Sequence, residues 1–160
     1  MSDTEAIICL SNGPEARSPA NLEACIDQFK SELIGGKWEP RDGLTFCNQF
    51  AQAVTAALQC PLPMALANEQ IAWLEGVGGK SSGWSETTRE HAVVNAQVGN
   101  PTLVTWANPT GHGHIAVLRP APLGHEHDAP FIAQAGRENF WIGRLQRGFG
   151  NLPVRFWSHP

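Results

Sequence analysis

The chain has 160 residues, a formal net charge of −4, and 42% hydrophobic and 16% charged residues. That length is sufficient for a single domain, residues 1 to 160, with a sizeable core. Lys and Arg form no cluster, which argues against a nucleic-acid partner because phosphate neutralisation needs clustered basic side chains. No stretch approaches about 18 consecutive apolar residues, so no membrane span is predicted.

The first segment, residues 1 to 17, is predicted to be an irregular arm. It begins with Asp3 and Glu5 and has only a short apolar patch. A Sec signal needs a positive start and a longer apolar core. We therefore expect synthesis in the cytoplasm without a Sec signal, with any action outside the cell reached by another export route or by lysis.

Two helices are predicted in the first sixty residues. Ser18 is a helix cap followed by Pro19, and apolar residues at helical spacing then continue to Gly35. A second helix is expected from a cap at Thr45 to about Gln59, where two prolines stop it.

Two more helices are predicted before the composition changes. Asn68 is a suitable cap for a short helix through Leu74. Ser85 is expected to cap a helix over residues 86 to 98, which Gly99 closes.

Short β-branched or aromatic runs separated by Pro and Gly follow Gly99. They cover residues 102–106, 114–118, 131–135 and 154–157, and they predict antiparallel strands. Helices followed by strands indicate an α+β domain, with the N-terminal helices packed on one face of a small antiparallel sheet.

Cys47 lies in the first turn of the second predicted helix. A thiol attacks only as the thiolate, which the positive end of a helix and a nearby imidazole both favour. The unpaired N–H groups of that turn are also suited to hold an oxyanion. We therefore expect Cys47 to have a lowered pKa, an open approach and the role of nucleophile.

His114 opens a predicted strand after a Gly-rich turn, and Gln134 interrupts the next strand. An imidazole on a strand that packs against the helix can take the thiol proton, and a carboxamide on the adjacent strand can accept its other N–H. The order helix-Cys, strand-His, strand-polar predicts a catalytic site of Cys47, His114 and Gln134. Asn139 is the alternative third member.

These local contexts resemble the compact papain-like cell-wall hydrolases of the CHAP and NlpC types. The similarity covers about residues 44 to 136, and the run GHIAV at residues 113 to 117 is its most specific part. The chain has Phe-Cys-Asn-Gln around Cys47 instead of the Asp-Cys-Ser-Gly of NlpC-type enzymes. Those families commonly have Glu, Asn or His where this chain has Gln134.

The resemblance implies a papain-like fold with the catalytic Cys at a helix N-terminus, and a cysteine amidase or peptidase acting on peptidoglycan peptide without a cofactor. Members occur in phage lysis and tail proteins, in wall remodelling and among type VI secretion amidases. It therefore implies action in the periplasm or cell wall, with an immunity protein or a secretion or phage-tail component as a further partner.

Several polar and aromatic residues around this centre are expected to line a groove for a peptide. Arginine would meet the peptide's carboxylates in a bidentate manner. The candidate residues are Trp106, Asn108, Arg119 and Asn139, with Trp84 and Arg137 beside them.

Three other interpretations stay open. Two His-x-His pairs, His112 with His114 and His125 with His127, have the spacing to bind a transition metal, although the second pair lies in a Pro- and Gly-rich loop. We predict no metal. An inert papain-like binding module and an acyltransferase, in which an amine or alcohol resolves the acyl-cysteine, are the other two.

The remaining cysteines are Cys9, Cys25 and Cys60. No pair has the CxxC spacing of zinc or thioredoxin-like sites. They are expected to be buried thiols, since cysteine is among the most often buried residue types. A Cys25–Cys60 disulfide is the alternative in an oxidising compartment.

Overall fold

The computed structural model describes residues 13–160, so Cys9 and most of the predicted arm lie outside it. The helices are α1 (Pro19–Asp27), α2 (Cys47–Ala57), α3 (Ala67–Glu75), α4 (Val77–Ser81), α5 (Arg89–Gln97) and α6 (Leu145–Phe149). The strands are β1 (Ser85–Thr87), β2 (Thr102–Trp106), β3 (His114–Arg119), β4 (Phe131–Gln134), β5 (Phe140–Arg144) and β6 (Arg155–Ser158). Short 3-10 turns occupy Pro14–Ala16 and Glu126–Asp128.

The strands form one antiparallel sheet in the order β1-β6-β2-β3-β4-β5. The α+β class is therefore confirmed. Helices α1, α2 and α3 pack on one face with Ile115 and Val117, whereas α5 and α6 pack on the other with Ala116 and Leu118. The expectation that helices cover a single face was wrong. Both faces of strand β3 are buried, which agrees with its four consecutive apolar residues, 115 to 118.

Helix α1 begins as predicted but ends early. The Ser18 hydroxyl accepts a hydrogen bond from the N–H of Asn21 at 3.0 Å, and Pro19 is the first helical residue. The helix stops at Asp27, and Lys30 has a φ of 48°, a left-handed conformation that a continuing α-helix does not contain. The predicted extension to Gly35 is replaced by turns.

Three predicted helix caps were wrong. Asn68 is the second residue of α3, whose N-cap is Leu66. Helix α2 starts at Cys47 with Phe46 as its N-cap, so Thr45 does not cap it. Ser85 begins strand β1, and α5 is capped instead by Thr88, whose hydroxyl accepts from the N–H of His91 at 3.2 Å.

The structure also tests the predicted state of the cysteines and the predicted absence of a membrane span. Cys25, Cys47 and Cys60 are buried thiols, and no disulfide joins Cys25 to Cys60. In residues 13–160 none of the helices has the length and apolar character needed to cross a membrane.

Candidate active site

Cys47 is the first residue of α2 and is only 6% exposed. Burial raises the pKa of its thiol, and the backbone N–H groups of Ile115, Asn48 and Cys47 itself, directed at the sulfur, offset this only in part. The expectation of a lowered pKa was therefore wrong, because desolvation outweighs the helix terminus. At neutral pH the resting group is the thiol.

The contact with Ile115 places the Cys47 sulfur at the start of β3. Helix α2 packs along this strand, and Ile115 directly follows His114. The helix that carries the cysteine and the strand that begins with the histidine are thus neighbours, while the imidazole itself packs on Phe149 of the hydrophobic cluster on the other face of the sheet.

The imidazole of His114 is hydrogen-bonded to Gln134. Its Nε2 lies 2.7 Å from the Oε1 of Gln134. The Nε2 of Gln134 donates to the carbonyl of Glu138 at 2.8 Å, which fixes the orientation of the amide. Since Oε1 can only accept, the network assigns the proton to His114 Nε2 and leaves Nδ1 to accept another proton.

Helix α6 covers this pair. The rings of His114 and Phe149 have centroids 4.6 Å apart, and Gln134 is 3% exposed. Burial lowers the pKa of His114, and the hydrogen bond to Gln134 offsets this partly. The imidazole is therefore neutral at pH 7. Sequence reasoning did not find Phe149, which lies on a short helix that carries no motif.

A crevice of about 120 Å³ opens beside Cys47. Its lining residues are Gly43, Leu44, Thr45, Cys47, Asn48, Leu66, Ala67, His112 and Gly113. Leu44 and Leu66 are 60% and 55% exposed, so the crevice has apolar rims. His112 reaches this crevice, although the sequence indicated a role for it only in metal binding.

Arg119 was wrongly expected to bind substrate. It is 4% exposed and ends β3, whereas His114 begins that strand. Its Nη1 donates to the Asp27 carboxylate at 2.6 Å and to the carbonyl of Trp141 at 2.7 Å. A buried guanidinium with these partners ties α1 to the sheet and is not presented to a ligand.

Asn108 and Asn139 have structural contacts. The side chain of Asn108 accepts from the N–H of Thr110 and donates to the carbonyl of His112, each at 3.0 Å. Asn139 accepts from the N–H of Gly136 at 2.8 Å and donates to the Trp38 carbonyl at 2.6 Å. Gln134, rather than Asn139, is therefore the partner of His114.

The other predicted groove residues are dispersed. Trp106 is opposite His114 in the β2–β3 pairing and is partly buried. Trp84 is 2% exposed beside β1, and Arg137 is exposed in the turn after β4. Only Trp106 thus adjoins the histidine.

The described histidines do not assemble a metal site. His125 and His127 approach the Asp128 carboxylate at 3.6 and 3.4 Å in an exposed turn. Within residues 13–160 no group of three or more His, Cys, Asp or Glu side chains could hold a metal ion. The His-x-His spacing therefore has no structural support as a ligand set.

No protein-family model matches this sequence, and no curated protein matches it closely enough to indicate a relative. Function must therefore be inferred from the geometry around Cys47 and His114.

Proposed function

We propose that the protein is a papain-like cysteine amidohydrolase that cleaves amide bonds in peptidoglycan peptides. The observation that carries this proposal is the 2.7 Å hydrogen bond between His114 and Gln134, at the start of the strand against which Cys47 packs. The motif resemblance around Cys47 and residues 113–117 supports the choice of substrate, with action in the periplasm or wall after lysis or specialised secretion.

The resting pair is a neutral thiol and a neutral imidazole, so His114 acts as a general base. As the Cys47 sulfur bonds to the amide carbonyl carbon, the thiol proton passes to Nδ1 of His114. The N–H groups at the start of α2 stabilise the oxyanion that forms. Gln134 holds the imidazolium in the required orientation through Nε2.

Collapse of this intermediate breaks the C–N bond. His114 returns its proton to the leaving amine, and Cys47 is left as a thioester. A water then loses a proton to His114 and attacks the thioester carbon, which releases a carboxylic acid and restores the thiol. A peptide chain enters through the crevice between Leu44 and Leu66.

The test is digestion of purified peptidoglycan, with mass spectrometry of the new termini. We expect a new amine and a new carboxylate at one type of bond, and none with Cys47→Ala. Circular dichroism of the variant controls for folding. Equal digestion by the variant would refute the proposal.

A second candidate is an inert module of the same fold that binds wall peptide. The small exposure of Cys47 and the raised pKa of its thiol favour it. Co-sedimentation with peptidoglycan without new termini, together with no alkylation of Cys47 in the folded protein, would identify this module.

A further inference from the structure

We propose that Asn68 and Gln70, two residues apart on α3, are positioning residues that hold Cys47 and His114 in their mutual placement. The inference rests on the proposed function. Neither side chain is expected to touch substrate. Gln70 bonds the backbone of Asn48, next to Cys47, and Asn68 bonds the backbone of the loop that precedes His114.

Asn68 holds the histidine half. Its Nδ2 donates to the carbonyls of Asn108 and Gly111 at 3.0 and 2.8 Å, and its Oδ1 accepts from the N–H of Asn108 at 3.0 Å. These three bonds clamp the loop over residues 107–113, which leads directly into His114. The sequence had predicted that Asn68 caps α3. Its carboxamide instead bonds this loop.

The chain makes room for this clamp at Gly113. A Cβ there would overlap the Oδ1 of Asn68 and would lie 2.8 Å from the carbonyl oxygen of Trp106. Only a residue without a side chain lets the Asn68 amide reach the base of β3. The position immediately before His114 is therefore fitted to Asn68.

Gln70 holds the cysteine half. It is fully buried, and its Nε2 donates to the carbonyls of Asn48 and Pro63 at 3.0 and 3.1 Å. Asn48 directly follows Cys47 and in turn donates to the carbonyl of Ala65 at 2.9 Å. The first turn of α2 is thereby bound to α3 and to the segment between the two helices.

The Oε1 of Gln70 is buried with no hydrogen-bond partner. The opposite amide orientation would set that oxygen against the carbonyls of Asn48 and Pro63, so the network fixes the observed one. An unpaired buried carbonyl costs stability that an apolar side chain of similar size would not. The two hydrogen bonds that Gln70 donates are thus accompanied by an unpaired acceptor that lowers stability, as expected of a residue that serves the site.

One turn of α3 therefore connects the start of the Cys47 helix to the loop that sets His114. A displacement of about 1 Å between reacting groups can lower a rate by about a hundredfold. Loss of either side chain should thus lower kcat by more than it raises KM, although Asn48, His112 and Gly113 also line the crevice.

The experiment compares Asn68→Ala, Asn68→Asp and Gln70→Met with Asn100→Ala in the full chain, on one muropeptide. Asn100 is a matched control because its amide bonds Asn95 at 3.2 Å in the turn before β2, at the strand end opposite the 107–113 loop. We expect kcat to fall about ten- to a hundredfold for the first three, with KM within about threefold. Asn100→Ala should keep the wild-type kcat.

A second measurement distinguishes a positioning role of Asn68 and Gln70 from a purely structural one. It is the pH dependence of Cys47 alkylation by iodoacetamide. A misplaced imidazole no longer takes the thiol proton, so alkylation at pH 7 should slow in these variants relative to alkylation at pH 9. Asn68→Asp keeps the shape of the side chain and the acceptor Oδ1 but loses both N–H donors. Its activity should therefore be as low as that of Asn68→Ala. Gln70→Met should lose activity while its melting temperature stays close to the wild-type value.

Wild-type kcat and an unchanged alkylation profile in all three variants, with only a lower melting temperature, would overturn the inference. If instead the wild-type protein and Cys47→Ala release the same termini, the proposed function has failed and the positioning role with it. If the wild-type protein is active and Cys47→Ala is inactive, the results for the Asn68 and Gln70 variants test the positioning role alone.

Discussion

The ring of Phe149 lies against the imidazole of His114, with 4.6 Å between their centroids. Phe149 is itself 2% exposed and belongs to α6, a helix on the opposite face of the sheet from α2. The imidazole of His114 is therefore shielded from water by an element other than the helix that carries Cys47. This placement accounts for the direction of the His114 pKa.

The pH dependence of hydrolysis should report this burial. Because burial lowers the pKa of His114 below the ordinary histidine value of 6.5, the basic form persists as pH falls past 6.5. We expect the acid limb of kcat/KM to lie below pH 6.5 and to move upward in Phe149→Ala, whose imidazole is hydrated. An acid limb above pH 6.5 in the wild-type protein would contradict this.

A second prediction concerns which thiol reacts. Burial raises the pKa of Cys60 to about 12, against an opposing effect of Arg17. The Cys47 thiol adjoins the crevice and three N–H groups, so iodoacetamide at pH 8 should label Cys47 before Cys60. Peptide mapping against time measures the order. Cys60→Ala should keep activity, whereas Cys47→Ala should abolish it.

Prior labelling of Cys60, or inactivation that follows its modification, would remove Cys47 from the mechanism. EDTA should leave activity unchanged. Loss of activity on chelation and recovery with zinc would favour the His-x-His interpretation.

A third prediction separates stability from activity at Arg119. Replacing this buried guanidinium by Met removes the bonds to Asp27 and Trp141. Asp27 is partly exposed and regains water, so the expected loss is about 1 to 2 kcal/mol, or about 2 to 8 °C in melting temperature. KM should not change. The exposed Arg137→Met is the control, with an unchanged melting temperature.

The fold could be predicted from sequence where patterns are local. Residues 102–106 are a short run of mostly β-branched and aromatic residues, and strand β2 has those bounds. Strand β1 was missed because Ser85, Glu86 and Thr87 are polar, and their partner β6 is about seventy residues away. A pairing of that separation leaves no local signal.

The candidate site likewise combines features with a local sequence signal and features that depend on distant residues. The order of Cys47, His114 and Gln134 predicted a three-residue site, and of its contacts the bond between His114 and Gln134 is confirmed. The pKa of Cys47 could not be predicted, because it depends on burial by distant elements. Arg119 was assigned to substrate because its partner Asp27 lies 92 residues earlier in the chain.

The last prediction tests whether Gln134 acts through His114. Gly148 lies on α6 where a Cβ would overlap the Oε1 of Gln134, the atom that accepts from His114. Gly148→Ala should therefore displace the amide and weaken the orientation of the imidazole. We expect kcat to fall about ten- to a thousandfold in Gly148→Ala and in Gln134→Ala, which is about 1.4 to 4 kcal/mol of barrier.

His114→Ala should cost several orders of magnitude, since the base and the proton donor are both lost, while His112→Ala should retain near wild-type kcat. Gln134→Glu should be partly active because a carboxylate accepts the same bond. The decisive measurement is the double variant Gly148→Ala with Gln134→Ala. If both changes act by releasing His114, its kcat equals that of Gln134→Ala alone, because the second change has nothing left to disturb. Additive losses would show that Gly148 acts elsewhere, through Ile132, whose Cδ1 lies 2.8 Å from the same Cβ position.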